Sequence, residues 1–412
     1  MPLLSHHQRP HLAIAGAGYA GLSAYLALRE EAQAGQITLS IVNQGDAHLM
    51  LPELPLFLAG EEGAAEIRVS LSRLVRPPTR LILTRVHGVD PIGPALLCAD
   101  PVGRLPVDGL IMALGAISDD FGVPGVREHA ISIGRWDDAL ELRHRLLRQY
   151  RRRTHGRVLV VGGGFTGVEI AAELASVRGN RTRITLVAPS LLSAMPARVQ
   201  TIAAHALEHL QVDVRRGRAQ AVEAGCIVLT NGSRVEGDTI IWAAGVRGNP
   251  VAAHGLPTNR RGQAHVGHDL RASPRVYCAG DCAAVFYAAS GKSVATTAQA
   301  AIAEGALAAR NLLREWRNEP RAAFHDRSRG FLVSLGRGDA TGALGQHVLQ
   351  GRDVAVLKRL IETYHAFQTG GLRALGLRLK RGSEAPQVTG GQGPHGSPER
   401  EPVTAGSLVT AP

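Results

Sequence analysis

The residues in this chain best suited to chemistry by type and spacing are two sets of three glycines. Gly16, Gly18 and Gly21 lie in the run His-Leu-Ala-Ile-Ala-Gly-Ala-Gly-Tyr-Ala-Gly-Leu. Gly162, Gly164 and Gly167 lie in Val-Leu-Val-Val-Gly-Gly-Gly-Phe-Thr-Gly-Val-Glu. Both sets follow the G-x-G-x-x-G spacing, and each sits between a short apolar run and the start of a helical pattern, the context that makes the motif informative. The first glycine permits a tight turn, the second lets the backbone approach a pyrophosphate, and the third lets helix and strand pack closely. Phosphates would rest on free N–H groups at the positive end of the helix dipole. Two such cradles imply two dinucleotides.

The elements that must hold these cradles follow from the flanking pattern. Residues 11–43 read as strand, glycine turn, helix and second strand, the last being Ile37–Asn43. Strand-like runs follow at 81–86 and 109–113, and Leu110-Ile111-Met112-Ala113-Leu114-Gly115-Ala116 ends in small residues, as a chain passing beneath a cofactor must. A turn-rich segment, 119–126, reads as a crossing between domains. A basic helix is expected over 136–153, then a second unit with strands at 184–187 and 239–246. Ile241-Trp242-Ala243-Ala244-Gly245-Val246 repeats the small-residue ending of 110–116, so the chain reads as internally duplicated. The last long helix is expected over 295–316. The fold class is therefore α/β, with two Rossmann-type dinucleotide-binding domains, the second inserted in the first, plus a small C-terminal domain. The expected divisions are 1–125 and 253–323 for the first domain, 126–252 for the second, 324–380 for the C-terminal unit, and a disordered tail at 381–412.

Composition narrows the partners. The chain has 412 residues and a formal net charge of +11, but aromatic residues make up only 4%. Stacking platforms for single-stranded nucleic acid are not expected, and no nucleic-acid partner is assigned. The basic residues are almost all arginine, with lysine only at Lys292, Lys358 and Lys380. No run approaches the ~20 apolar residues of a membrane span. The apolar run at 12–15 leads straight into the first cradle, so it reads as a core strand and not a signal peptide. The expected location is the cytoplasm, or the inner face of the cell membrane as a peripheral protein. No metal site is expected. Cys98, Cys226, Cys278 and Cys282 form no C-x-x-C pair, and the segment 45–52 after the first β-α-β unit contains no cysteine.

A third motif assigns the nucleotides. Val276-Tyr277-Cys278-Ala279-Gly280-Asp281 resembles the Ala-Gly-Asp element of two-dinucleotide flavoproteins, in which the aspartate hydrogen-bonds the ribityl chain of FAD. The resemblance places FAD at the first cradle and NADH or NADPH at the second. More of the chain, roughly 10–370, resembles the type II (alternative, non-proton-pumping) NADH:quinone oxidoreductases. The segments that carry it are Ala113–Ala116 with Phe121–Ala130, Gly162–Glu169, Ile241–Val246 and Ala279–Ala283. Membership implies non-covalent FAD, hydride transfer from NADH, quinone reduction, attachment to one membrane leaflet, and a possible homodimer formed through the C-terminal unit. It implies FAD contacts at Gly16, Gly18, Tyr19, Ala20, Gly21, Asn43, Ala113, Gly115, Gly280, Asp281 and Ala298. Nucleotide contacts are implied at Gly162, Gly164, Phe165, Thr166, Gly167, Ala188, Ala244 and Gly245. Glu169 is the carboxylate that the family directs toward the nicotinamide–flavin contact, and Gln299 is an amide that could meet a quinone carbonyl.

The chain departs from this pattern at three places. The family's Ala-Gln-x-Ala-x-Gln becomes Thr297-Ala298-Gln299-Ala300-Ala301 with Ala303 where the second glutamine belongs, followed by Glu304. The carboxylate that usually closes the second strand of each cradle is Asn43 in one unit and Ala188 in the other, so weak discrimination between NADH and NADPH is expected. In the C-terminal unit, Val354, Leu357, Ile361 and Tyr364 recur at helical spacing with Lys358, Arg359 and Glu362 opposite. A second basic amphipathic stretch, 372–380, follows Gly370-Gly371 and suits an anionic leaflet. Two other readings stand beside the quinone reductase. One is a soluble NAD(P)H-dependent flavoprotein reductase with a non-quinone acceptor; the other is a flavin-based redox sensor using Cys278 and Cys282.

Overall fold

Two parallel sheets carry the two glycine motifs. The computed structural model describes residues 9–151, 156–178, 182–287, 291–325, 330–336 and 338–381. The first sheet runs in the order Arg271–Ser273, Val276–Cys278, Gly109–Met112, His11–Ala15, Thr38–Asn43, Arg80–Leu83. All neighbours are parallel except the first pair. Leu12, Ile14, Leu39, Ile41, Leu110 and Ile111 are fully buried, because such a sheet is covered on both faces and its strands are continuous apolar runs. The second sheet, inserted between Met112 and Arg271, runs Ile131–Ser132, Thr239–Trp242, Gly156–Val161, Thr182–Ala188, Asp213–Arg216. Every pair in it is parallel.

Helices Tyr19–Gln33 and Ala298–Trp316 pack on the first sheet, and Phe165–Arg178 on the second. Close approach of the first two depends on Gly305, where a Cβ would collide with the Ala20 carbonyl. The crossing between the lobes is an antiparallel pair, Ala116–Ser118 with Val246–Gly248. Trp242 Nε1 donates to Asp119 O at 2.7 Å beside it. The stretch expected as one strand at 81–86 is split into Arg80–Leu83 and Val86–Asp90. Val86–Asp90 opens a three-stranded antiparallel sheet with Ala95–Cys98 and Arg104–Pro106. The second lobe carries an equivalent sheet, Ala219–Glu223, Cys226–Leu229 and Arg234–Glu236. Its first turn, Ala224-Gly225, uses a left-handed glycine at φ +72°, the hairpin chemistry that periodicity alone does not reveal.

The C-terminal unit is an antiparallel sheet, Phe331–Ser334, Ala340–Leu344 and His347–Gln350, followed by one helix, Arg352–Arg381. Gly370-Gly371 does not end that helix; a glycine in a helix interior costs only about 1 kcal/mol. The expected polarity of its first half is corrected in part. Val354 is buried as expected, but Lys358 and Glu362 also turn inward, while Val356, Leu360, Ile361 and Tyr364 are exposed. A buried carboxylate on the second lobe requires a cation, and that demand overrides the apolar count. The side chains of 372–380 and the tail beyond 381 lie outside the described residues.

Candidate functional site

The two cradles are built to one plan. In the first, Gly16 has φ +98° and a Cβ there would strike the Ala113 carbonyl; in the second, Gly162 has φ +130° and a Cβ would strike Ala243 O. The third glycines are as crowded, since a Cβ on Gly21 would collide with Gly16 O and one on Gly167 with Gly162 O. The middle glycines differ from both, for a Cβ on Gly18 or Gly164 meets nothing within 4 Å. That open space above a helix N-terminus is where a pyrophosphate would rest. Each turn is tied to its own sheet in the same way, Gly16 N to Val42 O at 2.8 Å and Gly162 N to Val187 O at 3.0 Å.

Around the first cradle the structure gathers the residues expected there. Gly280, at φ +75°, would bring a Cβ to 3.1 Å from Ala20. Its N–H donates to Glu304 Oε2 at 2.6 Å, in a fully buried bond. Thr297 caps the helix that starts at Ala298, accepting from Ala300 N at 3.2 Å. Gln299 lies in that first turn, and its amide has no hydrogen bond among the described residues. Asp281 is desolvated, which raises its carboxyl pKa, and its carboxylate has no hydrogen bond or ion pair among the described residues. A half-buried acceptor without a donor is what a ligand hydroxyl would satisfy, and with the clearance over Gly18 it fits FAD. Asn43 reaches the cradle but is already engaged, its Oδ1 accepting from Ala17 N (3.0 Å) and its Nδ2 donating to Gly45 O (2.7 Å).

Sequence reasoning missed His48. Its Nδ1 lies 3.1 Å from Ala17 O and its Nε2 is buried without a hydrogen-bond partner among the described residues. Burial outweighs that one hydrogen bond and lowers its pKa to about 4, so the ring is neutral and donates through Nδ1. Tyr19 packs edge-on to His48 (5.0 Å) and stacks on His365 of the C-terminal helix (4.5 Å).

The second cradle helix meets the same C-terminal unit. Glu169 Oε1 accepts from Ser334 N at 3.0 Å and lies 3.4 Å from Lys358 Nζ. Burial pushes its pKa up, opposed by Lys358. Lys358 also pairs with Glu362 at 2.5 Å. Burial works against its charge, but Glu169 and Glu362 outweigh that and its pKa rises. Glu173 accepts from the Ser334 hydroxyl, and its Oε2 is buried with no hydrogen-bond partner among the described residues. Desolvation raises it to about 7, against the help of Ser334. Phe165 meets Phe331 edge-on at 5.6 Å. The charge on Glu169 is thus answered by the C-terminal unit, not by the helix dipole alone. At the strand end, Ala188 is buried against Gly163, whose Cβ would come within 2.9 Å of it. Gly245, on the crossing, has φ +158°, and a Cβ there would press on Phe121 at 2.9 Å.

Cys278 and Cys282 are fully buried thiols. Burial raises both, Cys282 to about 11, and Cys282 Sγ donates weakly to Met112 O and Ala279 O. A thiol so far from ionisation is a poor sensor.

The fold and the paired cradles define a two-dinucleotide α/β oxidoreductase scaffold. A family model, Pyridine nucleotide-disulphide oxidoreductase, matches residues 10–305. The chain belongs to that family. Type II NADH:quinone oxidoreductases of Staphylococcus saprophyticus and Staphylococcus aureus are each 27% identical to it, covering 91% of this chain and 98% of their own. Among solved structures, NDH2 of Plasmodium falciparum in complex with NADH superposes with a TM-score of 0.80 at 17% identity, covering 92% of this chain and 99% of that one. The sulfide:quinone oxidoreductase of Aquifex aeolicus superposes at 0.74 and 17% identity, with 87% and 91% covered. These structural likenesses establish the fold.

Proposed function

We propose that the protein is an FAD-dependent NAD(P)H:quinone oxidoreductase of the type II class, working at the surface of a membrane. The observation that carries this reading is the pair of like-built cradles joined by one antiparallel crossing, each with an open middle glycine. The relatives' names and the lack of a cysteine in the segment 45–52 that follows the first β-α-β unit support it over disulphide chemistry. In this reading 1–125 and 253–323 hold FAD, 126–252 holds the pyridine nucleotide, and 324–380 serves attachment.

The flavin, when bound, supplies a two-electron acceptor that takes hydride from a nicotinamide and passes electrons to a quinone. The protein's share is alignment and proton handling. Gly18 and Gly164 give the two pyrophosphates room to approach backbone N–H groups. Asp281 would accept from a hydroxyl of the ribityl chain, and His48 and Asn43 lock the Ala17 peptide that shapes the turn. Gln299, in the first turn of the helix that starts at Ala298, would offer its amide to the acceptor. Reduction of a quinone by NADH consumes one proton from the medium, and the buried Glu169–Lys358 pair is suited to hold and pass it.

The exposed row Val356, Leu360, Ile361 and Tyr364 is read as the leaflet-facing side of the C-terminal helix, peripheral on the cytoplasmic face. No helix among the described residues is long and apolar enough to cross a membrane. Anaerobic addition of NADH to the purified yellow protein should bleach the flavin, and a soluble quinone should restore it faster than a ferredoxin-type acceptor. A protein reoxidised only by the iron–sulfur acceptor contradicts the quinone assignment. Flotation with anionic vesicles, lost on replacing Leu360 and Ile361 by Ser, tests the surface. Concentration-dependent dimers abolished by the same replacements would assign the row to a second copy instead.

A further inference from the structure

Resting on the reading above, we propose that the second cradle accepts a 2′-phosphorylated nucleotide, NADPH, and that Arg216 is the side chain that binds its 2′-phosphate. The strand Thr182–Ala188 ends beside the cradle in a methyl group, where a carboxylate would both accept from a ribose 2′-hydroxyl and repel a phosphate there. Neither Pro189 nor Ser190 restores a negative charge. The loop that follows lies directly on the cradle, with Leu192 N donating to Gly163 O at 2.7 Å. The Ser190 hydroxyl in it is half-buried and has no hydrogen bond among the described residues.

What replaces the missing carboxylate comes from the next strand. Asp213–Arg216 pairs with Thr182–Ala188 in parallel, and the register sets Arg216 beside Ala188. Gly217 N donates to Ala188 O at 3.2 Å, fixing the two strand ends together. Paired residues on parallel neighbours project to the same face of the sheet, so Arg216 shares the face of the Ala188 methyl. Arg216 is exposed and forms no ion pair among the described residues. Its neighbour Arg215, on the other face, is held by Asp213 at 2.8 Å. Of the two, only the arginine beside Ala188 keeps its guanidinium free. A guanidinium fork matches a phosphate in shape and charge, and a 2′-phosphate carries about −1.5 to −2 charges at neutral pH by analogy with other monoesters.

The test uses the flavin-loaded protein and two fragments without a nicotinamide, 2′,5′-ADP and 5′-AMP, titrated by calorimetry. The phosphorylated fragment should bind roughly tenfold or more tightly than the other, as one charge-assisted contact provides. Arg216→Ala should erase that advantage and leave 5′-AMP within about threefold, since a surface change elsewhere is nearly neutral. Ala188→Glu should reverse the preference by roughly 10- to 100-fold. Stopped-flow flavin reduction by NADPH and NADH should follow the same order. If 5′-AMP binds more tightly while NADH still bleaches the flavin, the proposal fails and the broader function stands. If the advantage survives in Arg216→Ala, the assignment of Arg216 fails. If neither dinucleotide reduces the flavin, the proposed function itself is wrong.

Discussion

The two cradles share three glycines, one set of close contacts and one pattern of hydrogen bonds, yet their surroundings differ at every position where a nucleotide would be distinguished. At the strand end the first has Asn43, tied to its own loop, and the second has Ala188 with Arg216 beside it. At the mouth the first has the desolvated Asp281 and the cap of Ala298–Trp316, and the second has Glu169 and Glu173 answered by Ser334 and Lys358. The fingerprint thus defines a place for phosphates, while discrimination comes from elements that arrive from elsewhere in the chain. One helix touches both sites, through His365 on Tyr19 and Lys358 on Glu169.

The sharpest way to break this parallel is at the third glycines. Gly21→Ala and Gly167→Ala each force a methyl into a backbone carbonyl that cannot move aside, an overpacking cost of about 1–3 kcal/mol or more. Gly21→Ala should purify colourless. Gly167→Ala should keep its yellow absorbance but lose NADH-driven bleaching by at least ~100-fold, the scale set by small misplacements. Equal loss of colour in both would show that the lobes do not fold as separate sites.

Removing the shared cation comes next. Lys358→Met leaves Glu169 and Glu362 buried with no countercharge, and breaking such a cluster costs about 3–5 kcal/mol. The denaturant midpoint should fall accordingly, and combining Lys358→Met with Glu169→Gln should recover part of it. No recovery would mean that Lys358 acts through packing and not through charge.

The lobes should also respond to pH in opposite senses. His48 sits at about 4 in the fold against about 6.5 unfolded. Its contribution is therefore present above pH 6.5 and is lost as pH falls through 4. Glu173 sits at about 7 against roughly 4.3 unfolded. Its contribution is present below the unfolded value and is lost as pH rises through 7. Each spans roughly 3 kcal/mol by proton linkage. In denaturation midpoints followed from pH 4 to 8, His48→Asn should flatten the acid side and Glu173→Gln the neutral side. Unchanged profiles would place the titrating groups elsewhere.

The smallest structural effect is expected at the middle glycines. Gly18→Ala and Gly164→Ala meet open space, so stability without ligand should change by only about 0.5 kcal/mol. Flavin retention should suffer in the first and the KM for NADH in the second. A large loss of stability in either would show that the clearance is structural.

Much of the site was legible in the linear chain. The glycine turns, the small-residue strand endings at Ala113 and Ala243, and Gly280-Asp281 all announce themselves through local rules of φ, turn chemistry and strand period, and the structure brings them together. The two antiparallel meanders were not legible, because short turns such as Ala224-Gly225 lie below the length at which periodicity is informative. His48 was passed over because nothing in its neighbours shows that it will be buried beneath Ala17.

By itself, then, the sequence determined the repeated β-turn-α cradle, since that depends on residues a few positions apart and on which of them lack a Cβ. Only the tertiary structure decided which charges face each other. Glu169 meets Ser334 at a separation of 165 residues, and Lys358 turns inward against its apolar pattern because a desolvated carboxylate is waiting there. Pairings of that kind are set by the electrostatic cost of burial at a point in space, which no local window of residues encodes.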